Sequence, residues 1–166
     1  MAGEKPQDHG PEFHPDVAKA AVKVALAEAA QGVFETDNDN RGPRVDEYQM
    51  VSGKLGQAWC AKFVYWCFQQ AALKVGAANP FPRIFGASEM EKWGIEEGRV
   101  VTEPSCGDIM VKEHRHVGLV TGPALANGNF PSVEGNTWAK TDFAHRREGV
   151  YVLNNEKVSR CTFIRL

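Results

Sequence analysis

The chain has no Cys-x-x-Cys pair, no uninterrupted apolar run long enough to cross a bilayer, and almost no net charge. Each absence removes a class of function. Without paired cysteines a zinc ribbon is disfavoured, and four cysteines at irregular spacings, Cys60, Cys67, Cys106 and Cys161, do not form the dense disulfide framework of a small secreted scaffold. Cys67 follows Cys60 by two helical turns, about 10 Å at about 1.5 Å per residue, beyond the roughly 7 Å between Cα atoms that a bridge spans. A Cys106 to Cys161 bridge stays geometrically open. A net charge of −2 supplies no field for a polyanion, so no nucleic-acid role is expected. The longest apolar stretch near the amino end, Val17 to Ala30, is broken by Lys19, Lys23 and Glu28, so neither a secretory signal nor membrane insertion is expected. Synthesis in the cytoplasm is the expectation. A substrate outside the cytoplasm would then call for delivery machinery, a phage holin or lysis.

What is present is the composition of one ordinary folded domain: 166 residues, 43% hydrophobic and 24% charged. Met1 to Pro15 is rich in Gly, Pro, His and charge without periodicity, and reads as a flexible arm before a single domain over residues 16–166. Asp16 as N-cap and Gly32 as stop bound an Ala-rich helix, and Val45 to Val51 reads as a short helix that carries Tyr48 inward. From Trp59 to Leu73 the apolar positions 60, 63, 64, 67, 68, 71 and 72 recur as on one face of a helix. A short helix is expected around Ser88 to Trp93. After Val100 short apolar runs separated by Gly, Pro and Asn predict an antiparallel sheet: Asp108 to Val111, Val117 to Val120, Phe130 to Glu134, Val150 to Leu153 and Cys161 to Ile164. Helices first and strands second make an α+β fold.

Three elements carry chemistry. Cys60 falls in the first turn of its helix, where unpaired N–H groups and the macrodipole favour a thiolate and can also receive an oxyanion. An isolated helix cysteine is ordinarily a core residue, and Cys67, in mid-helix on the same face, fits that description better. His116 begins a strand, so with Gly118 it faces one side while Val117 and Leu119 face the other. Glu134 and Asn136 flank Gly135 at the end of the next strand and share one face, where a carboxylate or amide can orient an imidazole. Gly-Asn-Thr is also ordinary turn chemistry.

Taken together, Gln57-Ala58-Trp59-Cys60-Ala61-Lys62-Phe63-Val64-Tyr65-Trp66, Gly107-Asp108-Ile109-Met110-Val111, His116-Val117-Gly118-Leu119-Val120 and Val133-Glu134-Gly135-Asn136-Thr137, in that order, resemble the CHAP family of cysteine, histidine-dependent amidohydrolases and peptidases. The resemblance runs from about Gly32 to Leu153. It is similar to the subgroup with an upstream Asn-x-Gly-Pro segment, here Asn40-Arg41-Gly42-Pro43. Departures are Ala58 and Cys106, where relatives often carry proline. The resemblance implies a papain-like fold, with the cysteine helix packed on the antiparallel sheet. It implies Cys60 as nucleophile, His116 as base and then acid, Glu134 as the imidazole's orienter and Asn136 as a polar helper near that histidine. Trp59, Gln57 and Asn40 become candidate substrate-binding residues.

The implied activity is peptidoglycan hydrolysis at an amide or peptide bond of the stem peptide, as an N-acetylmuramoyl-L-alanine amidase or an endopeptidase. Glycan cleavage would call for two carboxylates instead. The settings are a phage lysin, an excised catalytic domain or a secreted antibacterial effector with an immunity protein, acting as a monomer. Alternatives are an amidase or deamidase acting on a soluble amide such as a glutathionylspermidine-like conjugate, and a non-catalytic module that binds cell-wall peptides. No cofactor is otherwise implied, although some relatives bind calcium. Asp37 and Asp39 offer oxygen ligands for it, but their run lacks the sixth-position Gly and twelfth-position acid of an EF-hand loop.

Overall fold

Proline decides where the first two helices begin. In the computed structural model, which describes residues 10–139 and 146–166, α1 (Pro15–Ala30) and α2 (Pro43–Gln49) each open on a proline, whose missing N–H would have no intrahelical partner anyway. His14 is the N-cap of α1, so Asp16, expected in that role, instead lies in the first turn, where its charge still favours the helix dipole. Of the expected flexible arm, residues 1–9 lie outside the described residues. Its last part is tied down: the His14 N–H donates to the Leu166 carbonyl at 2.8 Å, and Arg99 donates to the Glu12 carbonyl at 2.9 Å.

Tyr48 on α2 points inward and is fully buried. Its hydroxyl donates to Glu28 of α1, which also accepts two hydrogen bonds from Arg44, at 2.8 and 2.7 Å. Burial pushes the Glu28 carboxyl up, but Arg44 and Tyr48 outweigh it and hold the pKa below its usual value. A 3-10 turn, Met50–Ser52, follows α2 and ends at Gly53. Then comes α3 (Cys60–Val75), whose buried positions include all seven of the predicted apolar face and which stops at Gly76 in the left-handed conformation. α4 (Ala87–Glu96) is the last α-helix among the described residues.

Six strands form one antiparallel sheet in the order β1-β6-β2-β3-β4-β5. They are β1 (Val100–Val101), β2 (Ile109–Lys112), β3 (His116–Val120), β4 (Asn129–Thr137), β5 (Gly149–Lys157) and β6 (Cys161–Ile164). The α+β class is as expected. β4 and β5 outrun their apolar cores because backbone pairing, Asn129 with Lys157 and Phe130 with Glu156, carries polar residues into the ladder. One sheet face, with Ile109, Val111, Val117, Leu119 and Val133, joins α1 and α3 in the main core. The other holds a small cluster of Met110, Val120, Phe130 and Phe163. No described helix is long and apolar enough to cross a membrane.

Candidate active site

Cys60 is the first residue of α3, and Trp59 before it offers no side-chain cap. The first helical backbone bond runs from the Phe63 N–H to the Trp59 carbonyl at 2.8 Å. The amides of Cys60, Ala61 and Lys62 therefore have no carbonyl of the helix to donate to and form its partially positive end. The residue is buried, with 8% of its surface exposed.

His116 opens β3 directly after the hairpin turn, where Glu113 and His114 take left-handed φ angles of 49° and 59°. β3 pairs with β4 only through Leu119–Val133 and Val120–Ser132, so the two strands part before His116 is reached. Cys60 sits at this parted end. The Val117 N–H, with no β4 partner, donates to the Cys60 sulfur together with the Ala61 N–H. The imidazole lies between two acids. Its Nε2 meets Glu134 Oε2 at 2.7 Å, which leaves Nδ1 for the hydrogen bond it shares with Cys60. Glu134 is buried, and its other oxygen accepts from the Ser132 hydroxyl at 2.6 Å.

Burial alone would raise the Cys60 thiol pKa. The hydrogen bond and charge of His116, with the two backbone N–H groups, reverse this and bring it below the ordinary thiol value. Burial would likewise deprotonate His116, but its hydrogen bonds and ionic contacts with Cys60 and Glu134 hold it up to about 10. Burial opposes the Glu134 charge too, and His116 and Ser132 overcome it, keeping the carboxylate ionised. The Cys60 and His116 shifts both favour a thiolate–imidazolium pair, with a buried carboxylate behind the ring, the arrangement that activates a nucleophile.

Two glycines make room for it. A Cβ on Gly118 would stand 2.8 Å from Glu134 Cγ and 2.9 Å from Met110 Cε, so only glycine lets the carboxylate lie flat across β3. A Cβ on Gly135 would stand 2.7 Å from the Trp59 ring and 2.9 Å from Phe63, so this glycine brings β4 against the start of α3.

Asn136 does not share a face with Glu134, contrary to the strand alternation expected. A bulge between Glu134 and Thr137 and a φ of 57° at Asn136 break the period and re-aim the side chain. Its Oδ1 accepts from the Trp59 N–H at 2.9 Å, one residue before the nucleophile, and its Nδ2 donates to Glu148 at 2.7 Å, Asn40 at 3.2 Å and Glu35 at 3.3 Å. Its described hydrogen bonds thus hold the helix start, not the histidine. Glu148 and Glu35 contact one another through a hydrogen bond, and burial together with the Glu35 charge pushes the Glu148 carboxyl up.

The candidate substrate-binding residues have separate fates. Trp59 is fully buried, donates to Glu35 at 2.7 Å and packs against Tyr48 and Phe63, so its side chain serves the core and not a substrate. A tryptophan beside a nucleophile could be read either way, and Glu35 is the partner that draws it inward. Asn40 is half-buried and engaged with Asn136 and Glu35. Gln57 is exposed and accepts from Lys62 at 3.1 Å. Asp37 and Asp39 are exposed, Asp39 accepting from the Arg41 N–H at 3.1 Å, and the intervening Asn38 clamps the loop to Glu148 and Arg146. Among the described residues no three His, Cys, Asp or Glu side chains are grouped to hold a metal ion.

All four cysteines are free thiols, so Cys106 and Cys161 are not bridged. Cys67 is sealed in the core, and burial raises its pKa well above the ordinary value.

Sequence reasoning missed three participants: Ser132, Glu35 and Glu148. Ser132 was findable, because it stands two residues before Glu134 and strand alternation puts both on one face. Glu35 is brought in by the short pairing of Phe34 with Gly149, a contact between distant segments that no local pattern encodes.

Comparison with family models, with curated proteins and with solved structures found no match to this chain.

Proposed function

We propose that the chain is a cysteine-dependent amidohydrolase or peptidase that cleaves an amide or peptide bond of the peptidoglycan stem peptide, on a papain-like arrangement of helix and sheet. The observation that carries the chemistry is the imidazole of His116 held between Cys60 and a buried Glu134, with Nε2 at 2.7 Å from the carboxylate. The CHAP resemblance of the motifs supplies the substrate class.

The reaction runs in two steps. The Cys60 thiolate adds to the carbonyl carbon, and the oxyanion that forms is received by free N–H groups at the start of α3. Collapse expels the amine as His116 delivers its proton, leaving a thioester. His116, now neutral, takes a proton from water, whose hydroxide adds to the thioester; collapse releases the carboxylic acid and returns the thiolate–imidazolium pair. Glu134 fixes the ring's tautomer and stabilises its positive charge throughout. A binding module would gain nothing from a buried thiol whose pKa is drawn down against the cost of burial, which favours catalysis over a silent docking role.

The test is digestion of purified sacculi followed by mass spectrometry. Release of intact stem peptides marks an amidase, and shortened muropeptides mark an endopeptidase. A new reducing end on the glycan, or an undiminished rate after Cys60→Ala, refutes the proposal.

A further inference from the structure

Lys62 is a buried cation with no counter-charge among the described residues. It is only 3% exposed, and its ammonium donates to two neutral acceptors, the Lys54 carbonyl at 2.8 Å and Gln57 Oε1 at 3.1 Å. No carboxylate among the described residues pairs with it, and one of its three N–H donors has no partner. Burying an ammonium this way is costly, and two neutral acceptors offset only part of it. A methionine would fill the same space at no such cost. The charge therefore asks for an anion that the described residues do not supply.

Lys62 lines a cavity of about 390 Å³, within the range of small-molecule sites, together with Ser52, Lys54, Gln57, Ala58 and Phe85. None of these is acidic. Lys54 is exposed and adds a second positive charge, and Phe85 supplies an apolar wall for a short carbon chain. The wall is the loop that leads into α3, with Ala58 two residues before the nucleophile.

We infer that this cavity is a specificity pocket for a free carboxylate of the substrate, with Lys62 as its ion-pair partner and Lys54 as a second cation. The inference rests on the hydrolase reading and sharpens it: the substrate is an amide with an anionic group close to the bond cut, as in a stem peptide whose carboxylates are not amidated. Lys62 positions and selects; it takes no part in bond breaking.

The test measures binding by calorimetry to the full chain carrying Cys60→Ala. The probes are two synthetic stem tetrapeptides, one with its carboxylates free and one with all of them amidated. The free acid should bind at least about tenfold more tightly, a preference that Lys62→Met should erase while leaving affinity for the amidated peptide unchanged. Should Lys62→Met fail to fold, Lys54→Glu at the exposed position should weaken the free acid alone. Equal binding of both peptides, binding of neither, or an unaltered preference in the folded variants overturns the inference. Hydrolysis by the wild-type chain is scored separately. Charge-selective binding without cleavage would leave the pocket standing and sink the hydrolase reading, and cleavage without charge selectivity would do the reverse.

Discussion

Cys60 and Cys67 lie two turns apart on one face of the same helix, and both are buried, yet their thiols are driven in opposite directions. Burial raises both. What separates them is partners: Cys60 meets an imidazole held by a carboxylate and the backbone N–H groups of Ala61 and Val117, whereas Cys67 meets apolar core and the distant charge of Glu28. The difference teaches that position in the helix only permits reactivity. The parted end of β3 and β4 confers it.

The largest test of this comparison is substitution of each sulfur in turn. Cys60→Ala should lower turnover by on the order of 10⁴ or more, as loss of a covalent nucleophile does, with the melting temperature nearly unchanged. Cys67→Ala should do the opposite, retaining turnover while losing about 1 to 2 kcal/mol of stability to a small cavity, read from denaturant unfolding. Equal losses of activity in the two variants would erase the distinction.

Alkylation by iodoacetamide, followed site by site with mass spectrometry, sharpens it. Cys60 titrates below the ordinary thiol value and His116 loses its proton only at about 10. Lowering the pH below 9 should therefore leave the Cys60 rate flat until its own depressed pKa is reached. A small free thiol in the same reaction should instead slow about tenfold per pH unit below its pKa, roughly 8.5, as a thiol that is mostly protonated does. Cys67 should not label in the folded chain at all. A Cys60 rate that falls in parallel with that free thiol would rule out the ion pair.

Glu134→Gln probes the carboxylate behind the ring. The amide oxygen can still accept from Nε2 but brings no negative charge, so the His116 pKa should fall and the Cys60 pKa should rise in response. A loss of roughly 10²-fold in kcat/KM is expected, together with a Cys60 alkylation plateau that starts at higher pH. A rate loss with an unmoved plateau would mean that Glu134 shapes the site without tuning it.

How much of this was legible in the chain itself follows from which forces are local. The α3 face could be read because a helix period governs it, whereas Cys60, His116 and Glu134 were singled out by their places at a helix start, a strand start and a strand end together with the order of the motifs that resemble the CHAP family. Trp59 was misread because its partner Glu35 arrives from a segment tied to β5, far along the chain. Asn136 was misread because a bulge interrupts strand alternation, and neither Gly135 nor Asn136 announces a bulge without its partner strand. Lys62 was passed over for the same reason, since a lysine in an amphipathic helix ordinarily faces water and only the packed loop from Ser52 to Ala58 covers it.

The smallest expected effect concerns Asn136, which bonds beside one thiol and nowhere near the other. Its side chain caps the Trp59 N–H, and its backbone sits at a φ of 57°, where a side chain costs about 1 kcal/mol or more unless it bonds locally. Asn136→Gly keeps the backbone at ease and removes the cap, so it should cost about 1 kcal/mol of stability and slow Cys60 alkylation by only a few-fold. Asn136→Ala removes the same bonds and adds the backbone penalty, and should be less stable than the glycine variant by about 1 kcal/mol more. If alanine and glycine prove equally stable, the left-handed backbone is not what limits this position. If glycine slows alkylation of Cys60 as severely as Glu134→Gln does, the amide belongs with the residues that tune the thiolate, and the bulge has moved it there by holding the helix start.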